Sequence, residues 1–303
     1  MTIEGLLNLD KPLNLTSHDV VARVRRLADT RRVGHGGTLD PLASGVLVLA
    51  VGRATRLLEY VAGQPKEYEA RVRLGQITNT YDGEGEVMAQ QPVRVTRAGV
   101  EQALEQFRGE IEQVPPMYSA LRKGGKRLYE LARQGQEVER EARQVTIYRL
   151  EILSLERPLL TLRVRCSTGT YIRSLAHDLG QALGCGAYLS GLRRTAIGAF
   201  TLQDAAPLED LTPDNISSHL QPPDSAVAHM PRLVVSEEQA LRLAQGQRLA
   251  QGERLAQDQL VAREAAQPDA LLVRAYDNQD RFVGVLQAEG DRWRPRKIFY
   301  NRT

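Results

Sequence analysis

The sequence has few cysteines and no long apolar run, and both shortages limit the kinds of protein it can encode. Its 303 residues include two cysteines, Cys166 and Cys185, which are too few for a disulfide framework. No apolar run approaches the roughly 18 residues that a membrane-spanning helix needs. The N-terminal residues also lack the basic and then apolar pattern of a secretion signal. These absences predict a protein of the reducing cytoplasm that does not enter a membrane.

Lysine and histidine are also scarce. The chain has 40 basic residues and a net charge of +3, but arginine far outnumbers lysine among them. The planar guanidinium of arginine binds phosphate through two hydrogen bonds and stacks on bases, so an arginine-rich surface suits RNA. Codon usage in a GC-rich genome produces the same excess, so composition alone does not establish RNA binding. The five histidines show no ligand spacing with each other or with the cysteines, and no metal is expected.

The hydrophobic pattern predicts a mixture of helices and strands. Residues 17–27 repeat apolar side chains at helical spacing, with Ser17 as the N-cap. Residues 68–74 and 160–166 alternate apolar with polar side chains, as half-buried strands do, and residues 172–179 form a second amphipathic helix. Because strict alternation of strand and helix is absent, the pattern favours an α+β fold.

The pattern changes near residue 220. The proline-containing stretch 220–231 has no periodicity and predicts a linker. A capping-box pattern that begins at Ser236 and two predicted strands follow it. We therefore expect a large domain at residues 1–225 and a small β-rich domain at residues 228–303.

The most unusual segment is residues 34–45, with the sequence GHGGTLDPLASG. Its glycines allow backbone conformations that other residues avoid, and they let a ligand approach the chain closely. His35 and Asp40 are the ionisable residues of this segment. On these residues alone, the alternative is an ordinary glycine-rich turn in which Asp40 and Pro41 begin a new element.

This segment is identified as the signature of the TruB family of pseudouridine synthases. Further segments resemble family motifs in the same order and spacing, and they are residues 9–21, 68–82, 115–121, 169–173 and 192–194. Two positions depart from the pattern. Gly36 stands where the family commonly has threonine or serine and is expected to loosen the turn. Asn14 stands where glycine is usual, and asparagine tolerates a left-handed backbone.

The resemblance implies a fold, an activity and a partner. The implied fold is α+β, with a mixed, mainly antiparallel sheet in a catalytic domain, a thumb-like insertion at about residues 115–143 and a small PUA domain. The implied activity is isomerisation of uridine to pseudouridine at position 55 in the T-loop of tRNA. It implies a monomer that binds the T-arm and elbow of tRNA, with no cofactor, guide RNA or obligatory protein partner.

The resemblance also implies three catalytic residues. Asp40 corresponds to the nucleophile that attacks the ribose C1′ of the target uridine, or assists departure of the base from it. Tyr68 corresponds to the tyrosine that stacks on the flipped base and takes up a proton. Arg173 corresponds to the arginine that pairs with the nucleophile and keeps it ionised. Without the resemblance, Tyr68 is an ordinary aromatic residue on a strand face.

Other residues are implied to bind substrate. His35 corresponds to the histidine that fills the gap left by the extruded base. Asp82 corresponds to a second carboxylate that orders the site, although a turn-capping aspartate fits equally. Tyr171 and Leu192 are expected to line the uracil pocket, or else to be core residues. RNA contacts are also expected from the N-terminal motif and the insertion, at Lys11, Pro12, Arg122, Lys123, Lys126 and Arg127.

Three alternatives stay open. The insertion carries seven basic and four acidic residues, which also suits a solvated helical face. A guide-RNA-dependent synthase of dyskerin type shares the aspartate motif and a PUA domain, but this chain has the insertion and lacks lysine-rich tails. A tRNA-folding chaperone needs no chemistry, whereas the intact set of Asp40, Tyr68 and Arg173 argues for retained catalysis.

Overall fold

The computed structural model describes residues 3–119, 122–123, 125–133, 135–136, 138–250 and 271–300. The strands are β1 Gly5–Lys11, β2 Val33–His35, β3 Ala43–Val51, β4 Lys66–Leu74, β5 Gln76–Thr78, β6 Val87–Gln90, β7 Gly109–Gln113, β8 Arg122–Lys123, β9 Lys126–Arg127, β10 Arg143–Glu156, β11 Leu159–Cys166, β12 Ala187–Ile197, β13 Phe200–Thr201, β14 Ala206–Pro207, β15 Arg232–Val234, β16 Leu249–Ala250, β17 Leu272–Tyr276, β18 Phe282–Glu289 and β19 Arg292–Ile298. The α-helices are α1 Ser17–Leu27, α2 Leu58–Ala62, α3 Arg97–Leu104, α4 Leu128–Arg133, α5 Ile172–Ala182 and α6 Glu237–Ala244. None of these helices is long and apolar enough to cross a membrane.

A ten-stranded sheet forms the larger part of the described chain. Its order is β14-β1-β3-β12-β4-β11-β10-β7, with β2 added to β3 and β13 added to β12. The pairs β1 with β14 and β3 with β12 are parallel, and the other pairs of this sheet are antiparallel. The expected mixed, mainly antiparallel sheet is confirmed. The parallel pairing of β3 with β12 brings residues 43–45, which follow Asp40, beside residues 192–194.

The predicted strands at 68–74 and 160–166 are confirmed, and the structure pairs them side by side. In β4, Tyr68, Ala70, Val72 and Leu74 are buried, while the alternate residues lie on the other face. They share one hydrophobic core with the apolar faces of α3 and α5. Members of this core, among them Tyr68, Ile172 and Leu189, also line a cavity beside Asp40.

Helix α1 has the predicted bounds, but its predicted N-cap is wrong. Thr16 caps the helix: its hydroxyl accepts from the Asp19 backbone N–H, and the Asp19 carboxylate accepts from the Thr16 N–H. The buried Ser17 hydroxyl instead accepts from the Leu39 N–H at 2.8 Å and donates to the Leu39 carbonyl at 3.1 Å. Ser17 therefore attaches α1 to the residue that precedes Asp40.

The predicted linker packs against both parts of the molecule. Residues Pro223–Val227 form a 3-10 helix, and Ala226 and Val227 are buried in a core shared with Leu6, Val285 and Phe299. Beyond it, the sheet order β15-β17-β18-β19-β16 gives five strands. The capping box predicted at Ser236 is present at the start of α6. The stretch is thus an apolar joint between the two sheets rather than a solvated connection.

Candidate active site

A buried arginine holds the loop that carries Asp40. Arg194 lies in β12 and is almost completely buried. Its guanidinium donates to the Val46 carbonyl at 2.7 Å, to the Gly37 carbonyl at 3.0 Å and to the Thr38 carbonyl at 3.3 Å. Burial lowers the pKa of Arg194. Because three backbone acceptors on both sides of Asp40 share one rigid donor group, the loop is fixed relative to the sheet.

A second arginine joins two carboxylates. Arg173 is the second residue of α5, and its side chain is 13% exposed. One guanidinium nitrogen donates to Asp82 Oδ2 at 2.9 Å, and the other donates to the Tyr118 carbonyl at 2.8 Å. That second nitrogen lies 3.4 Å from Asp40 Oδ2. The structure therefore brings together Asp40, Asp82 and Arg173, as the motifs predict.

The two carboxylates occupy different environments. The side chain of Asp40 is 54% exposed, whereas that of Asp82 is 12% exposed. The other carboxylate oxygen of Asp82, Oδ1, accepts from the Thr80 hydroxyl at 2.6 Å and from the Glu84 N–H at 3.1 Å. Asp82 is thus saturated with donors and anchors Arg173, while Asp40 stays open to a ligand.

Asp40 faces a cavity of about 700 Å³. This volume lies within the range of pockets that enclose a small ligand. Apolar and aromatic side chains form much of its wall, and ionic groups meet at one side. Six of the predicted site residues line it, namely Asp40, Tyr68, Asp82, Tyr171, Arg173 and Leu192. The cavity therefore suits a flat, partly polar ligand such as a nucleobase with its ribose.

Tyr68 is the aromatic residue that β4 supplies to this wall. The side chain is largely buried, with Ala70 and Val72 following it on the same core-facing side of the strand. Burial raises the pKa of the Tyr68 hydroxyl, and the neighbouring Arg194 charge opposes that rise. The hydroxyl is therefore neutral at physiological pH, so the ring presents an uncharged aromatic surface to the cavity.

Gln113 positions Tyr171, a role that the sequence analysis missed. The buried Gln113 amide accepts from the Tyr171 N–H at 2.7 Å and donates to the Tyr171 carbonyl at 3.1 Å. Tyr171 is the N-cap residue of α5. The amide therefore fixes the start of the helix that presents Arg173. Little in the sequence indicates this role, because Gln113 is simply a polar residue at the end of a short edge strand.

Three other predicted residues with described side chains, His35, Lys11 and Pro12, do not line this cavity. His35 Nδ1 accepts from the Gly37 N–H at 3.3 Å, and burial lowers the pKa of His35, so its ring is neutral at pH 7. Lys11 is fully buried and donates to the carbonyls of Pro12 at 2.9 Å and Leu15 at 2.6 Å. Burial lowers the pKa of Lys11 to about 8. Its amine thus lies inside the fold, near the Asp40 loop.

The basic residues predicted for the insertion have described backbones only. Strands β8 and β9, which contain Arg122, Lys123, Lys126 and Arg127, pair antiparallel, and the side chains of these four residues lie outside the described part of the structure. Among the described residues, no group of three or more His, Cys, Asp or Glu side chains could hold a metal ion.

Comparison with known proteins decides the family. Residues 25–172 match the model of the TruB family pseudouridylate synthase N-terminal domain. Residues 173–228 match the tRNA pseudouridylate synthase B C-terminal domain, and residues 231–298 match the C-terminal region of pseudouridine synthase II TruB. The chain belongs to the TruB family. The α+β fold and the PUA-like C-terminal part expected from the motifs are thereby confirmed.

Relatives match over nearly the whole chain. The tRNA pseudouridine synthase B of Azoarcus sp. is 48% identical, covering 99% of this chain and 96% of the relative. That of Dehalococcoides mccartyi is 43% identical, covering 99% and 98%. A chain of an H/ACA RNP bound to a substrate RNA containing 2′-deoxyuridine superposes with a TM-score of 0.75 at 27% identity, covering 98% of this chain and 86% of the other. A chain of a Cbf5-Nop10-Gar1 complex superposes with a TM-score of 0.75 at 29% identity, covering 98% of this chain and 85% of the other.

The Gly36 departure has a steric cause. A Cβ atom built on Gly36 would lie 2.7 Å from Val61 Cγ1 and 3.0 Å from Val61 Cβ. Val61 is a fully buried residue of α2. The Val61 side chain therefore fills the space that a side chain at position 36 would take, while the expected loosening of the turn stays a prediction.

We expect Gly36→Ser to lower the free energy of unfolding by about 1–3 kcal/mol, because overpacking forces Val61 out of place. Val61→Ala in the same chain should relieve the clash. Urea denaturation of the wild type, both single variants and the double variant would measure the coupling between positions 36 and 61. The double variant should be more stable, by about 1 kcal/mol or more, than the sum of the two single effects predicts. Additive single effects would show that Val61 does not restrict position 36.

Proposed function

We propose that this chain isomerises uridine to pseudouridine in tRNA, with position 55 of the T-loop as its target. The observation that carries the proposal is the guanidinium of Arg173, which lies between the buried Asp82 and the open Asp40 beside Tyr68. Curated relatives at 43% and 48% identity are named tRNA pseudouridine synthase B. Together these support an isomerase whose nucleophile is Asp40.

The proposed reaction begins with extrusion of the target uridine from the T-loop into the cavity, because its glycosidic bond is unreachable inside the stack. His35 fills the gap in the RNA. The C1′–N1 bond breaks and uracil leaves with the electron pair, while the Asp40 carboxylate bonds to C1′ or stabilises its positive charge. Arg173 keeps that carboxylate ionised and in place.

The detached uracil then rotates against the Tyr68 ring, between Tyr171 and Leu192. Its C5 forms a new bond to C1′, C5 loses a proton and N1 gains one. Burial keeps the Tyr68 phenol protonated, so we propose that it donates this proton to N1 of the detached uracil and then takes up the proton that C5 loses. Atoms and electrons balance within the uridine, so the reaction needs no cofactor or co-reactant.

We further propose how the chain binds its substrate. Residues 1–225 form the catalytic domain, and residues 228–303 form a PUA-like domain that contacts the RNA backbone. Arg122, Lys123, Lys126 and Arg127 of the insertion contact the tRNA elbow. The protein acts as a monomer in the cytoplasm, where its two buried free thiols stay reduced.

The competing function is guide-dependent modification, which the similarity to a chain of an H/ACA RNP favours. The purified protein should be incubated with an unmodified tRNA transcript, without guide RNA or partner, and pseudouridine mapped at nucleotide resolution. We expect modification at position 55, and none in a matched transcript with cytidine there. Modification only after small RNAs are added would support the guide-dependent function, and improved tRNA folding without pseudouridine would support a chaperone.

A further inference from the structure

Helix α5 carries another polar side chain, His177, one turn after Arg173. Residues one turn apart share a face of a helix, so His177 points to the same side as Arg173. The His177 imidazole stacks on the Tyr81 ring with centroids 3.9 Å apart and an interplanar angle of 14°. Tyr81 directly precedes Asp82 in the chain. The stack therefore joins the helix that carries Arg173 to the loop that carries its carboxylate partner.

Tyr81 has a backbone conformation that its side chain disfavours. Its φ is 63°, in the left-handed region, which is unfavourable for a residue with a Cβ. Such a conformation persists only where the surroundings determine it. Two hydrogen bonds contribute, since the Tyr81 carbonyl accepts from the Leu189 N–H at 3.0 Å and the Thr78 hydroxyl donates to the Asp82 carbonyl at 2.7 Å. The stack on His177 adds a contact to the Tyr81 side chain itself.

The His177 ring contacts Tyr81 through its flat face rather than through a hydrogen bond. Its Nδ1 is buried and has no hydrogen-bond partner among the described residues. Burial also lowers the pKa of His177, so the ring is neutral at physiological pH. A neutral imidazole that lies parallel to a phenol ring makes a favourable packing contact. This contact offsets part of the cost of the left-handed conformation.

We propose that His177 is a positioning residue for the isomerase. By stacking on Tyr81 it holds the loop in the left-handed turn that directs Asp82 toward Arg173. The Asp82 carboxylate then keeps the guanidinium 3.4 Å from Asp40. This inference rests on the proposed function for its effect on turnover, but its structural part can be tested separately.

The test compares His177→Phe, which keeps an aromatic face, with His177→Leu, which keeps bulk but not the face. In steady-state assays with tRNA, we expect kcat of the phenylalanine variant to stay within about twofold of wild type. The leucine variant should lose about tenfold or more in kcat with little change in KM, because a displaced guanidinium misplaces the reacting group. Gln181→Leu, at an exposed position of the same helix, is the matched control and should leave kcat unchanged.

A second variant keeps the test informative if His177→Leu folds poorly. Glycine adopts a φ of 63° without a stacking partner, so Tyr81→Gly should rescue kcat in the His177→Leu background. Equal losses in the phenylalanine and leucine variants would assign His177 a polar role and overturn the proposal. So would a leucine variant with wild-type kcat.

Crystal structures of both His177 variants separate this inference from the proposed function. We expect Asp82 Oδ2 to stay close to the 2.9 Å seen from Arg173 Nη1 in the wild type when phenylalanine replaces His177, and to move away when leucine does. An unchanged Asp82 in the leucine variant would overturn the positioning role even if the wild type made no pseudouridine. An inactive wild type with a displaced Asp82 in the leucine variant would overturn the function alone.

Discussion

Replacing Asp40 with asparagine should abolish pseudouridine formation while tRNA binding changes little. The amide keeps the size of the carboxylate and its ability to accept a hydrogen bond, but it removes the nucleophilic charge. Arg173 retains its bonds to Asp82 and to the Tyr118 carbonyl, so the site should keep its shape. We expect kcat to fall by at least about a thousandfold, as for other enzymes that lose a nucleophile. Single-turnover kinetics and filter binding with the same tRNA would measure both quantities.

Two matched variants sharpen this result. Asp29→Asn makes the same chemical change at a residue whose φ of 43° suits asparagine, and its turnover should equal that of wild type. Asp82→Asn should keep more activity than Asp40→Asn, because its amide oxygen can still accept from Arg173. Turnover above a few per cent in Asp40→Asn would reject Asp40 as the nucleophile. If Asp82→Asn were inactive while Asp40→Asn remained active, Asp82 rather than Asp40 would be the nucleophile.

Replacing Arg194 with methionine should damage both stability and turnover. The change leaves the carbonyls of Gly37, Thr38 and Val46 without their buried donor, and an unsatisfied buried acceptor costs about 1–3 kcal/mol. We expect the free energy of unfolding to fall by about 3 kcal/mol or more. Because two of these carbonyls belong to the loop that carries Asp40, kcat of the remaining folded protein should fall about tenfold or more. Urea denaturation and single-turnover kinetics are the measurements.

The neighbouring arginine is the control. Arg193 is 44% exposed and pairs with Asp10 at 2.7 Å. An exposed ion pair contributes about 0–1 kcal/mol, so Arg193→Met should change stability by no more than that. If the two methionine variants lost equal stability, the bonds of Arg194 to the motif loop would not be what holds the loop.

Local patterns in the sequence predicted the elements that depend on near neighbours. The alternation of β4, the bounds of α1 and the capping box at Ser236 are encoded within a few residues of each element. The error at Ser17 has the same origin, because Thr16 and Ser17 can both cap a helix. Asp19 decides between them, since its position is correct for a capping box with Thr16 alone.

The sequence motifs named Asp40, Asp82 and Arg173, but their roles depend on exposure. The bonds from Thr80 and Glu84 to Asp82 are local and suit a turn-capping aspartate. Nothing near Asp82 in the sequence indicates that Arg173 binds it or that its carboxylate is buried, whereas that of Asp40 is open. Burial is a property of the packed molecule, and hydrophobic periodicity reports it only for apolar residues on a regular element. The loops that carry both aspartates have no such periodicity.

The sequence by itself therefore determined the family, the reaction class and the identity of the charged residues, because motif order and residue chemistry survive without coordinates. Only the tertiary structure decided which groups hold those residues in place. Gln113 meets Tyr171 and His177 meets Tyr81 across long separations in the chain. Arg194 reaches the Asp40 loop because β12 lies parallel to β3. Such contacts follow from strand order and helix packing, which no local pattern of residues encodes.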